Sequence, residues 1–180
     1  RSSGVSPVPI PSIGCVSSSP STPILSDTRI VLDTNVVLDL LHYDDAVARP
    51  LLHALEAGRV RCVVTSATLD EWRRVLAYPA FGLDSARQAA LYARYQALAV
   101  LEPATVVADL PRCRDPDDQK FIELATTARA QGLVSKDRAV LRLRRHCVAH
   151  FRIMPPAEAV CWLTDRLNWP AAGTAVAPLR

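Results

Sequence analysis

The sequence has no apolar run approaching the ~18 residues that a membrane-spanning helix needs, which argues against an integral membrane protein. It has no large excess of either charge. Lys and Arg total 21 against 18 Asp and Glu, for a net charge of +3. That balance excludes a polycationic nucleic-acid coat but permits a polyanionic partner. No two of the five cysteines (Cys15, Cys62, Cys113, Cys147 and Cys161) have the close spacing of a zinc or dithiol motif. They read as small core hydrophobes in a reducing, cytoplasmic setting. His146 and His150 stand four apart, yet they read as a basic helix end followed by a strand rather than a metal pair. There is no internal repeat.

With 49% hydrophobic residues in 180, the chain suits one soluble domain with a single core. Nine Ser and five Pro make up more than half of residues 1–26, a composition that cannot fill a core. Residues 1–27 are therefore expected to form a disordered tail, 28–170 the domain, and 171–180 a second flexible tail. Ser12-Ile13-Gly14-Cys15 looks faintly like a lipoprotein cleavage site, but the apolar segment such a signal requires is missing, so no lipid anchor is expected.

Between the tails, strand-like and helix-like segments alternate. Ile30–Leu32, Val60–Val64, Thr105–Val107, Leu133–Ser135 and Phe151–Ile153 are the strand candidates. Helices are expected from about Asn35, over Arg49–Ala57 with a stop at Gly58, and from a Ser66 cap to about Ala77. Further helices are expected over Asp84–Leu101, from Asp115 to before Gly132, from Asp137, and over Pro156–Trp169. Such alternation predicts an α/β fold with a largely parallel sheet covered on both faces.

Acids recur where these strands give way to helices. Ile30-Val31-Leu32-Asp33-Thr34-Asn35 is a buried strand ending in an acid. Asp115-Pro116-Asp117-Asp118 opens a helix, and Asp137 follows Val134-Ser135-Lys136. Each has a structural explanation as a helix cap, with acids facing the positive end of the helix dipole. Glu71 differs because it lies inside a helix, bordering the stripe of Leu69, Trp72, Val75 and Leu76. It needs a partner there, either Arg74 or another basic neighbour. Asp118 shares the face of Phe121, Ile122 and Ala125. Asp117 flanks that face from the other side, and Glu123 lies opposite and should be solvated.

A parallel sheet brings strand-to-helix junctions to one edge. Carboxylates converging there repel and raise one another's pKa. A hard divalent cation, Mg²⁺ or Mn²⁺, relieves that repulsion through oxygen ligands. Metal held by carboxylates in a crevice suits phosphodiester hydrolysis.

Together these segments resemble the PIN-domain nucleases. The opening motif looks like Ile-Val-Leu-Asp-Thr-Asn at 30–35, and Glu71 matches the helical Glu. Asp118 in Asp-Gln-Lys-Phe-Ile-Glu-Leu-Ala is similar to the third acid, and Leu-Val-Ser-Lys-Asp at 133–137 to the closing motif. The version Asp-Pro-Asp-Asp-Gln-Lys-Phe is similar to a bacterial VapC-like subgroup of toxin–antitoxin toxins. Ser135-Lys136 departs from the Thr-Gly or similar pair of many relatives.

The resemblance implies a Rossmann-like three-layer α/β/α sandwich and a Mg²⁺- or Mn²⁺-dependent endoribonuclease. It also implies RNA as substrate, a cognate antitoxin and a homodimer. Asp33, Glu71, Asp118 and Asp137 are the implied catalytic and metal-binding acids. Asn35 and Ser135 are implied as hydrogen-bonding support, with Asp115 as an auxiliary acid. One or two metals would activate water for in-line attack, leaving 5′-phosphate and 3′-hydroxyl ends, with Glu71 or Asp118 holding the water.

Arg112, Arg114, Lys136, Arg138 and Arg142 are the candidate phosphate contacts. Arg138 and Arg142 share a face with Arg145 that also reads as a solvated helix face. Trp162 reads as packing on a neighbouring helix or as a dimer or antitoxin contact. Two other functions fit parts of the pattern. One is a phosphatase-like enzyme with Asp33 as nucleophile, though such enzymes favour a second Asp where Asn35 stands. The other is a non-catalytic RNA- or protein-binding module on the same fold.

Overall fold

Side-chain alternation along the first strand sets the layers. In the computed structural model, which describes residues 28–105, 107 and 109–167, β1 (Arg29–Leu32) sends Ile30 and Leu32 into one apolar core and Val31 into another. Successive strand residues point to opposite faces, so a strand apolar throughout must be covered on both.

The first core is closed by α1 (Thr34–Leu41), α2 (Arg49–Glu56), α3 (Ser66–Leu76), α4 (Ser85–Leu98) and α8 (Pro156–Leu167). The second is closed by α5 (Gln119–Thr127), α6 (Arg138–Leu141) and α7 (Arg144–Cys147). Between them lie β1, β2 (Arg61–Val64), β3 (Ala99–Leu101), β4 (Gly132–Val134) and β5 (Arg152–Met154). All pairings are parallel, in the order β3-β2-β1-β4-β5. The expected three-layer α/β/α sandwich is the observed one. No helix among the described residues is long and apolar enough to cross a membrane.

This order decides where chemistry can gather. From β1 the chain winds outward through β2 to β3, then returns to place β4 on the other side of β1. The crevice beyond the carboxyl ends of β1 and β4 is the topological switch point, where an open α/β sheet leaves room for a ligand. Asp33 extends that junction, its backbone N–H donating to the Val134 carbonyl at 3.0 Å.

Several local expectations need correction. The edge strand is Ala99–Leu101, the last residues of the predicted helix over 84–101. Asp84 caps α4 and Leu91 and Tyr95 are buried, and the backbone extends at Ala99, where the chain pairs with β2. Thr105 and Val107 are not in a strand, and Val106 lies outside the described residues. Thr65 rather than Ser66 caps α3, exchanging hydrogen bonds with Thr68 in a capping box. The basic helix after Asp137 is broken into α6 and α7.

Cys62, Cys113 and Cys147 are buried, and burial pushes the Cys62 thiol up to about 12, as suits an unreactive core residue. Cys161 is exposed, against expectation. Trp162 packs on the first core, which answers its packing reading. The predicted tails at 1–27 and 171–180, together with Cys15, Trp169 and the end of the last predicted helix, fall outside the described residues.

Candidate functional site

Asp33 is 2% exposed at the end of β1, so its carboxylate needs partners. It acts as the N-cap of α1, with Oδ1 accepting from the Asn35 backbone N–H at 3.4 Å. Oδ2 accepts from the Ser135 hydroxyl at 2.6 Å. Ser135 is fully buried, and its Oγ in turn accepts the Asp137 backbone N–H at 3.0 Å. A relay Asp33–Ser135–Asp137 thus ties the carboxyl ends of β1 and β4 across the switch point. Asp137 caps α6, accepting from the Ala139 N–H at 2.5 Å. Asn35 contributes its backbone, while the residue itself is exposed.

Glu71, in α3, reaches the same place from the side. Its Oε1 accepts from the Thr34 hydroxyl at 2.6 Å, and its Oε2 is paired with the Lys120 ammonium. The basic neighbour is therefore Lys120 from α5, not Arg74. Asp118 is partly buried where the 3₁₀ turn Pro116–Asp118 runs into α5, and its side chain makes no capping bond. Asp117, which helical periodicity did not separate from Asp118, is exposed. Asp115 is also exposed and caps the turn, accepting from the Asp117 N–H at 2.9 Å.

These acids act on one another electrostatically. Burial pushes the Asp118 carboxyl up to about 7, reinforced by the charges of Asp33, Asp137 and Asp115 and opposed by Lys120. Burial also raises Asp33, against the lowering effect of the Ser135 and Asn35 hydrogen bonds and with the charges of Glu71 and Asp137 adding to the rise. Asp33 thus lies in the field of Glu71 and Asp137, and Asp118 in that of Asp33, Asp137 and Asp115.

Among the described residues, however, no three His, Cys, Asp or Glu side chains are gathered tightly enough to share one ion. Both oxygens of Glu71 and both of Asp33 have protein partners. The donor set fits a divalent cation in chemistry, being all carboxylate oxygen carrying like charge.

The basic candidates divide. Lys136 is committed to Asp39, a buried acid on α1, with its Nζ 2.8 Å from Oδ1 and 2.6 Å from Oδ2. Arg138, Arg142 and Arg145 are exposed, as are Arg112 and Arg114. Arg112 borders a cavity of about 720 Å³ beside Pro116 and Gln119, which Asp109 and Glu123 also line. Glu123 is thus half-buried at a cavity wall rather than fully solvated.

Three participants were not singled out from the sequence: Thr34, Lys120 and Asp39. Thr34 lies inside the opening motif and Lys120 two residues after Asp118, so both stood beside a signal. Asp39 had only its position one turn beyond Asn35 on an otherwise apolar helix.

A profile of the PIN domain matches residues 29–139 of the chain. No curated protein matches it.

Proposed function

From the premise that the chain belongs to the PIN-domain family, a nuclease-type fold, we propose that it is a divalent-metal-dependent endoribonuclease and the toxin of a toxin–antitoxin pair. The observation that carries the nuclease reading is the placement of Asp33, Asp118 and Asp137 at the switch point, where the charges of Asp33 and Asp137 act on Asp118 and that of Asp137 on Asp33. The toxin reading rests on the likeness of Asp115–Phe121 to the VapC-like subgroup. The exposed apolar side chains of Val100 and Leu101, on edge strand β3, offer a surface for a second copy or an antitoxin.

Asp33, Glu71, Asp118 and Asp137 would hold Mg²⁺ or Mn²⁺, which when bound lowers the pKa of water and offsets charge on phosphate oxygens. Ser135 fixes the orientation of Asp33, and Thr34 fixes that of Glu71. Asp118 is better placed than Glu71 to accept the proton of an attacking water, because both Glu71 oxygens already have partners. The water oxygen bonds to phosphorus as the bond to the 3′-oxygen breaks, and the released oxygen is protonated. The products carry 5′-phosphate and 3′-hydroxyl ends. Exposed Arg112, Arg114, Arg138 and Arg142 supply phosphate contacts.

The test is cleavage of single-stranded and hairpin RNAs by the full chain with Mn²⁺ or with EDTA, beside Asp33→Asn. Metal-dependent cleavage with those end groups, lost in the variant, is expected. RNA binding without turnover in either metal would replace this reading with the non-catalytic one. Relief of growth arrest by the product of an adjacent small open reading frame tests the toxin assignment separately.

A further inference from the structure

Glu123 is half-buried on the wall of the cavity of about 720 Å³ beside the turn that carries Asp118. Gln119, one helical turn earlier on α5, builds that cavity. Its side-chain oxygen accepts the Cys113 backbone N–H at 2.7 Å, and its amide donates to the Pro111 carbonyl at 3.4 Å, so the loop before Asp115 is pinned against the helix. Residues four apart share one helix face, which puts Glu123 on the same wall. Leu110, Cys113 and Pro116 give the cavity apolar surface, and the exposed Asp109 and Arg112 add polar surface. Among the described residues no hydrogen bond or ion pair engages the Glu123 carboxylate, and Lys120, the one basic residue of α5, is committed to Glu71.

Apolar walls with a few polar groups and a volume of roughly 300–1,000 Å³ are what small-ligand sites use. Two acids against one arginine disfavour an anion inside the cavity and favour a group rich in N–H donors. A carboxylate offers two acceptors side by side. Among the RNA bases, guanine alone presents two adjacent donors, N1–H and N2–H, on its Watson–Crick edge. Adenine and cytosine set a ring-nitrogen acceptor beside their amino donor, and uracil flanks its one donor with two carbonyl oxygens. Such edges are open to a protein on unpaired bases. Pro116 and Gln119 lie on either side of Asp117-Asp118 in the chain, so the cavity adjoins the acid proposed to receive the proton of the attacking water. We propose that this cavity is a guanine pocket: Glu123 accepts from N1–H and N2–H of an unpaired guanine next to the cleaved bond, and the nucleotide's phosphate stays outside against Arg112. This rests on the reading of the chain as a ribonuclease, and Glu123 is its specificity-determining residue.

The experiment measures binding of the full chain to four labelled uridine oligonucleotides whose central base is G, A, C or U, by fluorescence anisotropy in EDTA, for wild type, Glu123→Gln and Asp109→Asn. Thermal unfolding of each chain confirms that it is folded. Wild type is expected to bind the G oligonucleotide about tenfold more tightly than the other three. Gln presents one acceptor and one donor, the pair that matches adenine, so Glu123→Gln should lose the preference for G and bind the A oligonucleotide about tenfold more tightly than the rest. A preference gained in this way cannot come from damage to the fold. Asp109→Asn should keep the wild-type order.

Equal affinity of the wild type for all four, binding of none, or a guanine preference that survives Glu123→Gln would overturn the inference. Cleavage of the same oligonucleotides in Mn²⁺ separates the two failures. A wild type that cleaves all four with no preference refutes the pocket and leaves the nuclease reading standing. A wild type that prefers guanine but cleaves nothing refutes the nuclease reading and leaves the pocket as part of an RNA-binding module.

Discussion

Replacing Asp118 with Asn should make the metal-free protein more stable at neutral and alkaline pH, although it removes a residue proposed for catalysis. The Asp118 carboxyl lies at about 7 in the folded chain against 3.8 for a free side chain, from burial and from the charges of Asp33, Asp137 and Asp115. Between those values the folded chain holds a proton that the unfolded chain has released. Stability from this group is therefore greatest below the lower value, declines as pH rises through the window, and is flat above about 7.

At full value the rise from 3.8 to about 7 corresponds to roughly 4 kcal/mol. Solvent screening of a partly exposed group reduces that to about 1–2 kcal/mol. Asn keeps the shape and carries no charge, so its advantage over wild type should be near zero at pH 4 and reach about 1–2 kcal/mol at pH 8. For a chain of this size that is roughly 3–6 °C in Tm. Denaturant and thermal unfolding in EDTA at pH 4, 6 and 8 measure it. A variant no more stable than wild type at pH 8, or one whose advantage does not vary with pH, would refute the reasoning. Adding Mn²⁺ should reverse the order, because only the wild type regains an ion at that carboxylate.

Ser135→Ala should cost about 1–3 kcal/mol in unfolding free energy, since it leaves the Asp33 carboxylate and the Asp137 N–H without their shared partner in a buried position. A loss below about 0.5 kcal/mol, within the range of ordinary surface substitutions, would mean that the relay contributes nothing to the fold. Lys136→Met should destabilise by about 1–2 kcal/mol by leaving Asp39 buried without its cation, and adding Asp39→Asn should recover most of that. A double-mutant cycle measures the coupling, and additive losses would show that the pair is not coupled.

Much of the site could be read locally. A β-branched run ending in Asp-Thr-Asn, an acid after Val134-Ser135, and Asp-Pro-Asp-Asp before an apolar face are patterns of adjacent residues, and local pattern decides strand ends and helix caps. The caps at Asp33, Asp115 and Asp137 are all observed. Where reading failed, a tertiary contact outweighed propensity. Ala99–Leu101 continue a good helix sequence but lie beside β2 and join its ladder. Thr65 and Ser66 are both capable caps, and only the reciprocal bond with Thr68 distinguishes them.

The sequence alone determined the α/β class, the acids and their order, because strand and helix periodicities and caps depend on neighbours a few residues apart. The tertiary structure decided which oxygens are free. Glu71 and Lys120 are 49 positions apart, and Asp33 and Ser135 are 102 apart. No periodicity links such residues. They meet because β4 returns to the far side of β1 and α5 packs beside α3, and a carboxylate takes whichever donor that packing brings within reach.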